Sequence, residues 1–177
     1  MVRRVEVCPY NEKWPEMFLE EANQLKIILG NNIVDIYHIG STSVPGLKAK
    51  PIIDMMPVVK DINRIDRFNA EMHKIGYIQK GENGIPGRRY FQKGGDNRTH
   101  HVHFFQVGSY EIKRHLAFRD YLRFHPESKK SYGELKEALA QQFPYDIGSY
   151  IEGKEQLVKE IEAKAIDWYE GYFKGKQ

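Results

Sequence analysis

After Trp14-Pro15, apolar residues recur every three or four positions at Phe18, Ala22, Leu25 and Leu29. This spacing predicts a helix over residues 14–29, opened by proline in its first turn and stopped by Gly30-Asn31-Asn32. Residues 33–39 alternate apolar and polar positions and read as a strand that breaks at Gly40-Ser41. Residues 52–59 are apolar except for Asp54, the pattern of a strand covered on both faces. A carboxylate inside such a run needs a reason to be there, because burying an unpaired charge is costly. Ile62, Ile65, Phe68, Met72 and Ile75 keep helical spacing before Gly76 and predict a helix over 61–75. A glycine-rich loop over 81–87 precedes two strands, 89–93 and 100–107, which the turn Gly94-Gly95-Asp96-Asn97 joins as a hairpin. From Tyr110 the pattern is helical, over 111–125, 126–143 and 146–173. The apolar stripes there, through Leu116, Tyr121, Leu135, Leu139, Leu157 and Ile161, are expected to be covered by the sheet.

Strands in the middle, one helix before them and helices after predict the α+β class, with a mixed sheet of four to five strands and a helical C-terminal layer. No long linker and no internal repeat divides the chain, so residues 1–177 are read as one domain. A length of 177 residues with 41% hydrophobic content suits a domain that buries its own core. Lys plus Arg number 27 against 24 Asp plus Glu, a net charge of +3 with the signs interspersed. That balance disfavours nucleic acid as a partner. No stretch reaches the ~20 apolar residues that span a bilayer, and the opening residues carry no secretory pattern, so the expected location is cytoplasmic with no membrane partner. Cys8 is the single cysteine and offers neither a disulfide nor a thiol pair for zinc.

The chemistry concentrates in two places. Gly40, Ser41, Thr42 and Ser43 end a strand in a tight turn rich in hydrogen-bond donors, as a phosphate-holding loop requires. The alternative is that the hydroxyls cap a short helix near Ser43. Asp54 on the next strand suits a divalent ion held against such phosphates, whereas alone it reads as a structural hydrogen-bonding group. His101 and His103 stand two apart on one strand face, roughly 6 to 7 Å along the backbone, with His100 pointing the other way. Nitrogen donors favour zinc, manganese or iron over magnesium; surface histidines on a hairpin are the competing reading. Arg88, Arg89 and Arg98 flank the hairpin, Lys50 precedes Asp54 and Lys154 lies early in the last helix, a set able to neutralise a triphosphate or to form a solvated rim. Arg119-Asp120 reads as structural, and Trp168, Tyr169, Tyr172 and Phe173 read as core or oligomer contact.

The phrase HIGSTSVPGLKAKPIIDM at 38–55 resembles, nearly residue for residue, the hallmark of the GrpB family, a branch of the nucleotidyltransferase superfamily with the fold of DNA polymerase beta. Gly87-Arg88-Arg89-Tyr90-Phe91, Arg98-Thr99 with His103, the run from His115 to Leu122, and Tyr150 with Lys154 match in order. The resemblance implies a metal-dependent nucleotidyltransferase-like protein that binds a nucleotide or small phosphorylated ligand with a divalent metal, Mg, Mn or Zn. It puts Ser41 in the phosphate-facing turn and Asp54 as first metal carboxylate; if the protein is an enzyme, Lys50 and Arg98, which sit inside the matched motifs, are expected to offset transition-state charge. His103 matches the family pattern better than His101. The superfamily's second carboxylate falls on Met56, whose thioether is a poor magnesium ligand. A nucleotide- or anion-binding module without transferase activity is therefore the second expectation.

Overall fold

The computed structural model describes residues 3–174, Phe173 and Lys174 by backbone alone. In chain order run α1 (Trp14–Leu29), β1 (Ile33–Ile39), β2 (Ile53–Val59), α2 (Asn69–Lys74), β3 (Tyr77–Gln79), β4 (Arg89–Lys93), β5 (His100–Gln106), α3 (Tyr110–Phe124), α4 (Pro126–Gln142) and α5 (Ile147–Lys174). They fall into two compact units that alternate along the chain. A sheet unit takes Lys13–Ile39 and Ile52–Ile112, and a helical unit takes the described parts of Met1–Glu12, Gly40–Pro51 and Lys113–Gln177.

In the sheet unit five strands pair in the order β1-β2-β5-β4-β3. β2 and β5 are parallel and the other neighbours antiparallel, which is the mixed sheet of an α+β protein. α1 turns Trp14, Ala22, Leu25 and Leu29 inward, and the fully buried Leu25 contributes about 2 kcal/mol of hydrophobic stabilisation. The helix ends where Gly30 takes φ 53°, a conformation that costs glycine little. β2 buries every residue but Asp54. Across the unit, Glu21 of α1 accepts hydrogen bonds from Tyr77 Oη and Lys93 Nζ, both at 2.8 Å, tying the helix to β3 and β4.

Two segments depart from the sequence reading. Residues 61–75 form a 3₁₀ helix, Ile62–Phe68, followed by the short α2. The Asp61 carboxylate caps Asn63 N at 3.0 Å, so a local side-chain bond competes with the α-helical start. β3, at three residues, is too short for a readable alternation.

In the helical unit Val44 and Leu47 of the 40–51 segment are buried with Ala117, Tyr121 and Leu122 of α3, Tyr132 of α4, and Ile161 and Ala165 of α5. A second cluster joins Val5, Leu139, Ala140 and Tyr150. Tyr121, Leu139 and Ile161 thus close on neighbouring helices and on the 40–51 segment. α4 and α5 approach closely enough at Gly153 that a Cβ there would lie 2.5 Å from Leu139 Cδ2. Trp168 touches the rings of Tyr121, Phe124, His125 and Tyr172, the core role read for it; the side chain of Phe173 lies outside the described residues. Among the described residues no helix is long and apolar enough to cross a membrane.

Candidate functional site

Parallel pairing sets Asp54 opposite His101, and the two-residue strand period brings His103 to the same face. Asp54 Oδ1 lies 3.1 Å from His103 Nε2 and 3.4 Å from His101 Nδ1. One carboxylate oxygen and two imidazole nitrogens thus lie within 4.8 Å of one another, close enough to share one ion. Tyr90, opposite His103 on β4, supports both rings, with centroids 5.5 Å from His101 and 5.0 Å from His103. His100 turns to the other face, where its Nδ1 meets Thr99 Oγ1 at 2.8 Å and its ring meets Tyr77. The donor set fits a borderline ion such as zinc or manganese. Met56, two residues beyond Asp54 on β2, is fully buried and offers a thioether rather than a carboxylate, so the set is a poor fit for magnesium.

Burial alone would raise the Asp54 carboxyl, but hydrogen bonds and charge from His101 and His103 outweigh it and hold the group well below the usual carboxylate range. Burial pushes the His103 imidazole down and the charge of Arg88 adds to the fall, against the opposing pull of Asp54. Arg88 is itself buried. It donates to Glu82 O at 3.1 Å, to Asn83 O at 2.8 Å and to His103 Nδ1 at 3.2 Å, and it lies 4.6 Å over the Tyr90 ring. Arg98 donates to Gly95 O and, at 3.1 Å, to His101 Nε2. Arg89 stands apart from these two, paired with Asp66 at 2.9 Å.

The Gly-Ser turn belongs to the helical unit. Gly40 takes φ 71° and Ser41–Ser43 form one 3₁₀ turn, so a short helical turn does follow the glycine. Thr42 and Ser43 are buried, and Ser43 Oγ donates back to Gly40 O. Arg123 of α3 grips the Ser43 carbonyl with two donors, at 3.0 and 2.7 Å. Ser41 Oγ accepts from Lys136 Nζ at 2.8 Å. Sequence reasoning passed over Lys136, which lies 4.4 Å over the Tyr132 ring. Its signal was a lysine sitting among the inward positions Tyr132, Gly133, Leu139 and Ala140 of α4. Lys50 and Lys154 converge on the Tyr150 ring, at 5.3 and 5.2 Å. The buried Tyr150 hydroxyl finds no hydrogen-bond partner among the described residues.

The mixed sheet defines the class, a nucleotidyltransferase-like fold: Cid1, solved in complex with its short product ApU, superposes with TM-score 0.51 at 13% identity, over 73% of this chain and 42% of that one. The chain belongs to the GrpB family, whose description, GrpB protein, it matches over residues 4–164. The crystal structure of conserved protein GrpB from Enterococcus faecalis superposes with TM-score 0.90 at 48% identity, covering 93% of this chain and 99% of that one. UPF0157 protein YqkA of Bacillus subtilis (strain 168) is 53% identical over 169 residues, 96% of this chain and 49% of YqkA, so the chain spans about half the length of that relative.

Proposed function

We propose that this protein is a metal-dependent, nucleotidyltransferase-like enzyme of the cytoplasm that binds a nucleotide or another small phosphorylated ligand. The carrying observation is the Asp54, His101 and His103 cluster, three donor atoms within 4.8 Å of one another. In this reading the cluster holds a borderline divalent ion, which when bound supplies charge stabilisation to a transferring phosphoryl group. Arg88 and Arg98 flank that cluster as anion partners. Within the helical unit, Gly40, Ser41, Thr42 and Ser43, with Lys50, Lys136 and Lys154, offer phosphate contacts of their own, and the orphaned Tyr150 hydroxyl adds a donor that a phosphate oxygen would satisfy. Arg89, engaged by Asp66, contributes at the margin of this set.

Calorimetry with a nucleoside triphosphate and Mn²⁺ or Zn²⁺ tests the reading. Loss of metal-dependent nucleotide binding in Asp54→Ala supports the ion site, loss of phosphate binding in Ser41→Ala supports the contacts of the helical unit, and binding unchanged in both variants overturns the reading. Buried Met56 favours the second reading, a binding module without transferase activity. Release of pyrophosphate from labelled nucleotide with Mg²⁺, Mn²⁺ or Zn²⁺ separates the two, since a pure binder releases none.

A further inference from the structure

The two arginines that meet the histidines fix which ring nitrogens carry protons. A guanidinium has five N–H donors and no acceptor, so a ring nitrogen it points at must present a lone pair. Arg88 Nη1 points at His103 Nδ1 and Arg98 Nη1 at His101 Nε2, at 3.2 and 3.1 Å. The opposite nitrogens, His103 Nε2 and His101 Nδ1, therefore carry the hydrogens, and both face Asp54 Oδ1. A neutral imidazole owns one lone pair, and one that accepts from arginine has none left for an ion. Histidines that ligate metals show the reverse polarity, donating their outer N–H to a carboxylate or carbonyl.

The arginines are not buried alike. Arg88 is 6% exposed, bonded to two loop carbonyls and packed on Tyr90. Arg98, in the turn before β5, is less buried than Arg88, and its donors include those to Gly95 O and to His101.

We propose that Arg88 locks His103 as a positioning residue that donates Nε2–H to Asp54 and takes no ion, while His101 is the exchangeable ligand, freed to bind an ion with Asp54 when Arg98 leaves its ring. This rests on the ion-binding reading above and narrows its protein donors from three to two, Asp54 Oδ1 and His101 Nδ1, with His103 acting behind the aspartate. Releasing Arg98 does two things at once. His101 shifts its hydrogen to Nε2 and offers Nδ1 to the ion, and the guanidinium becomes available to phosphate oxygens, which it suits by its forked geometry. Cation and phosphate then strengthen each other's binding, by the same factor in either order.

Long-range proton–nitrogen correlation spectra of ¹⁵N-labelled protein read the tautomers directly. Without added metal, His103 is expected with its hydrogen on Nε2 and His101 with its hydrogen on Nδ1. Zn²⁺ should invert His101 alone. Arg98→Ala should bind Zn²⁺ about tenfold tighter, the equivalent of losing one charge-assisted hydrogen bond that competes with the ion. Pyrophosphate should tighten Zn²⁺ binding in the wild type and not in Arg98→Ala. The opposite tautomer at His103, or a His103 ring that inverts with zinc, overturns the proposal. The expected tautomers with no response to any zinc concentration support the Arg88 lock and overturn the ion-binding reading together with the role given to His101.

Discussion

The Lys136 ammonium donates a 2.8 Å hydrogen bond to the Ser41 hydroxyl from a side chain only 2% exposed. Burying a cation is costly, and in the phosphate-binding reading an anion that meets Lys136 and Ser41 together offsets part of that cost. Lys136→Met preserves most of the volume and removes the charge. The expected outcome is unchanged or slightly higher thermal stability, with inorganic triphosphate binding at least tenfold weaker by calorimetry. Intact binding in a strongly destabilised variant would assign Lys136 to the core instead.

Tyr150 makes a related trade. Its hydroxyl is buried without a hydrogen-bond partner among the described residues, and its ionisation is pushed far up by burial, with Tyr132 nearby adding to the rise. Tyr150→Phe removes the orphaned group and should stabilise the protein by about 1 kcal/mol in chemical denaturation, while weakening phosphate binding.

Glu21 links stability to acidity. Burial would raise its carboxyl, but the hydrogen bonds from Lys93 and Tyr77, with nearby His100 and Lys93 charge, bring it below its ordinary value. A carboxyl lowered on folding stabilises the native state above its unfolded value near pH 4.3 and loses that contribution as pH falls through the folded value. Glu21→Gln should therefore cost about 1–3 kcal/mol at pH 7, with the gap to wild type closing below about pH 4. Urea melts across that range measure it, and a gap that stays constant down to pH 3 would contradict the linkage.

Gly94 opens the turn that carries Arg98. It sits at φ 105°, and a Cβ would lie 2.4 Å from the Asn97 carbonyl oxygen and 3.0 Å from Thr99 N. Both neighbours are backbone and neither can step aside cheaply. Gly94→Ala should lower stability by at least about 1–3 kcal/mol. It should also disturb the His101 ring resonances more than those of His38, which stacks on Phe18 in α1. Equal or absent perturbation of the two rings would show that the turn does not hold Arg98 in place.

Much of this architecture was legible as period and punctuation. The α1 bounds, the β1 stop at Gly40 and the β4–β5 hairpin follow from apolar spacing and glycine placement alone. The shared face of His101 and His103 follows from strand alternation, and their meeting with Asp54 required only that β2 and β5 be neighbours. What stayed hidden depended on contacts far apart in sequence. Nothing local to Arg88 shows that its guanidinium reaches a histidine 15 residues on. Lys136 lies 95 residues from Ser41, and a lysine in a helix ordinarily reads as solvated.

Asp54 and His103 are separated by 49 residues along the chain. Translation at roughly 5–20 residues per second leaves the aspartate waiting about 2 to 10 s for its histidine. Throughout that interval β2 has no β5 beside it, and its apolar side chains are open to whatever a nascent polypeptide meets outside the ribosome. The parallel crossover that brings the cluster together therefore also leaves the β5 edge of β2 unpaired until the later strand has been made.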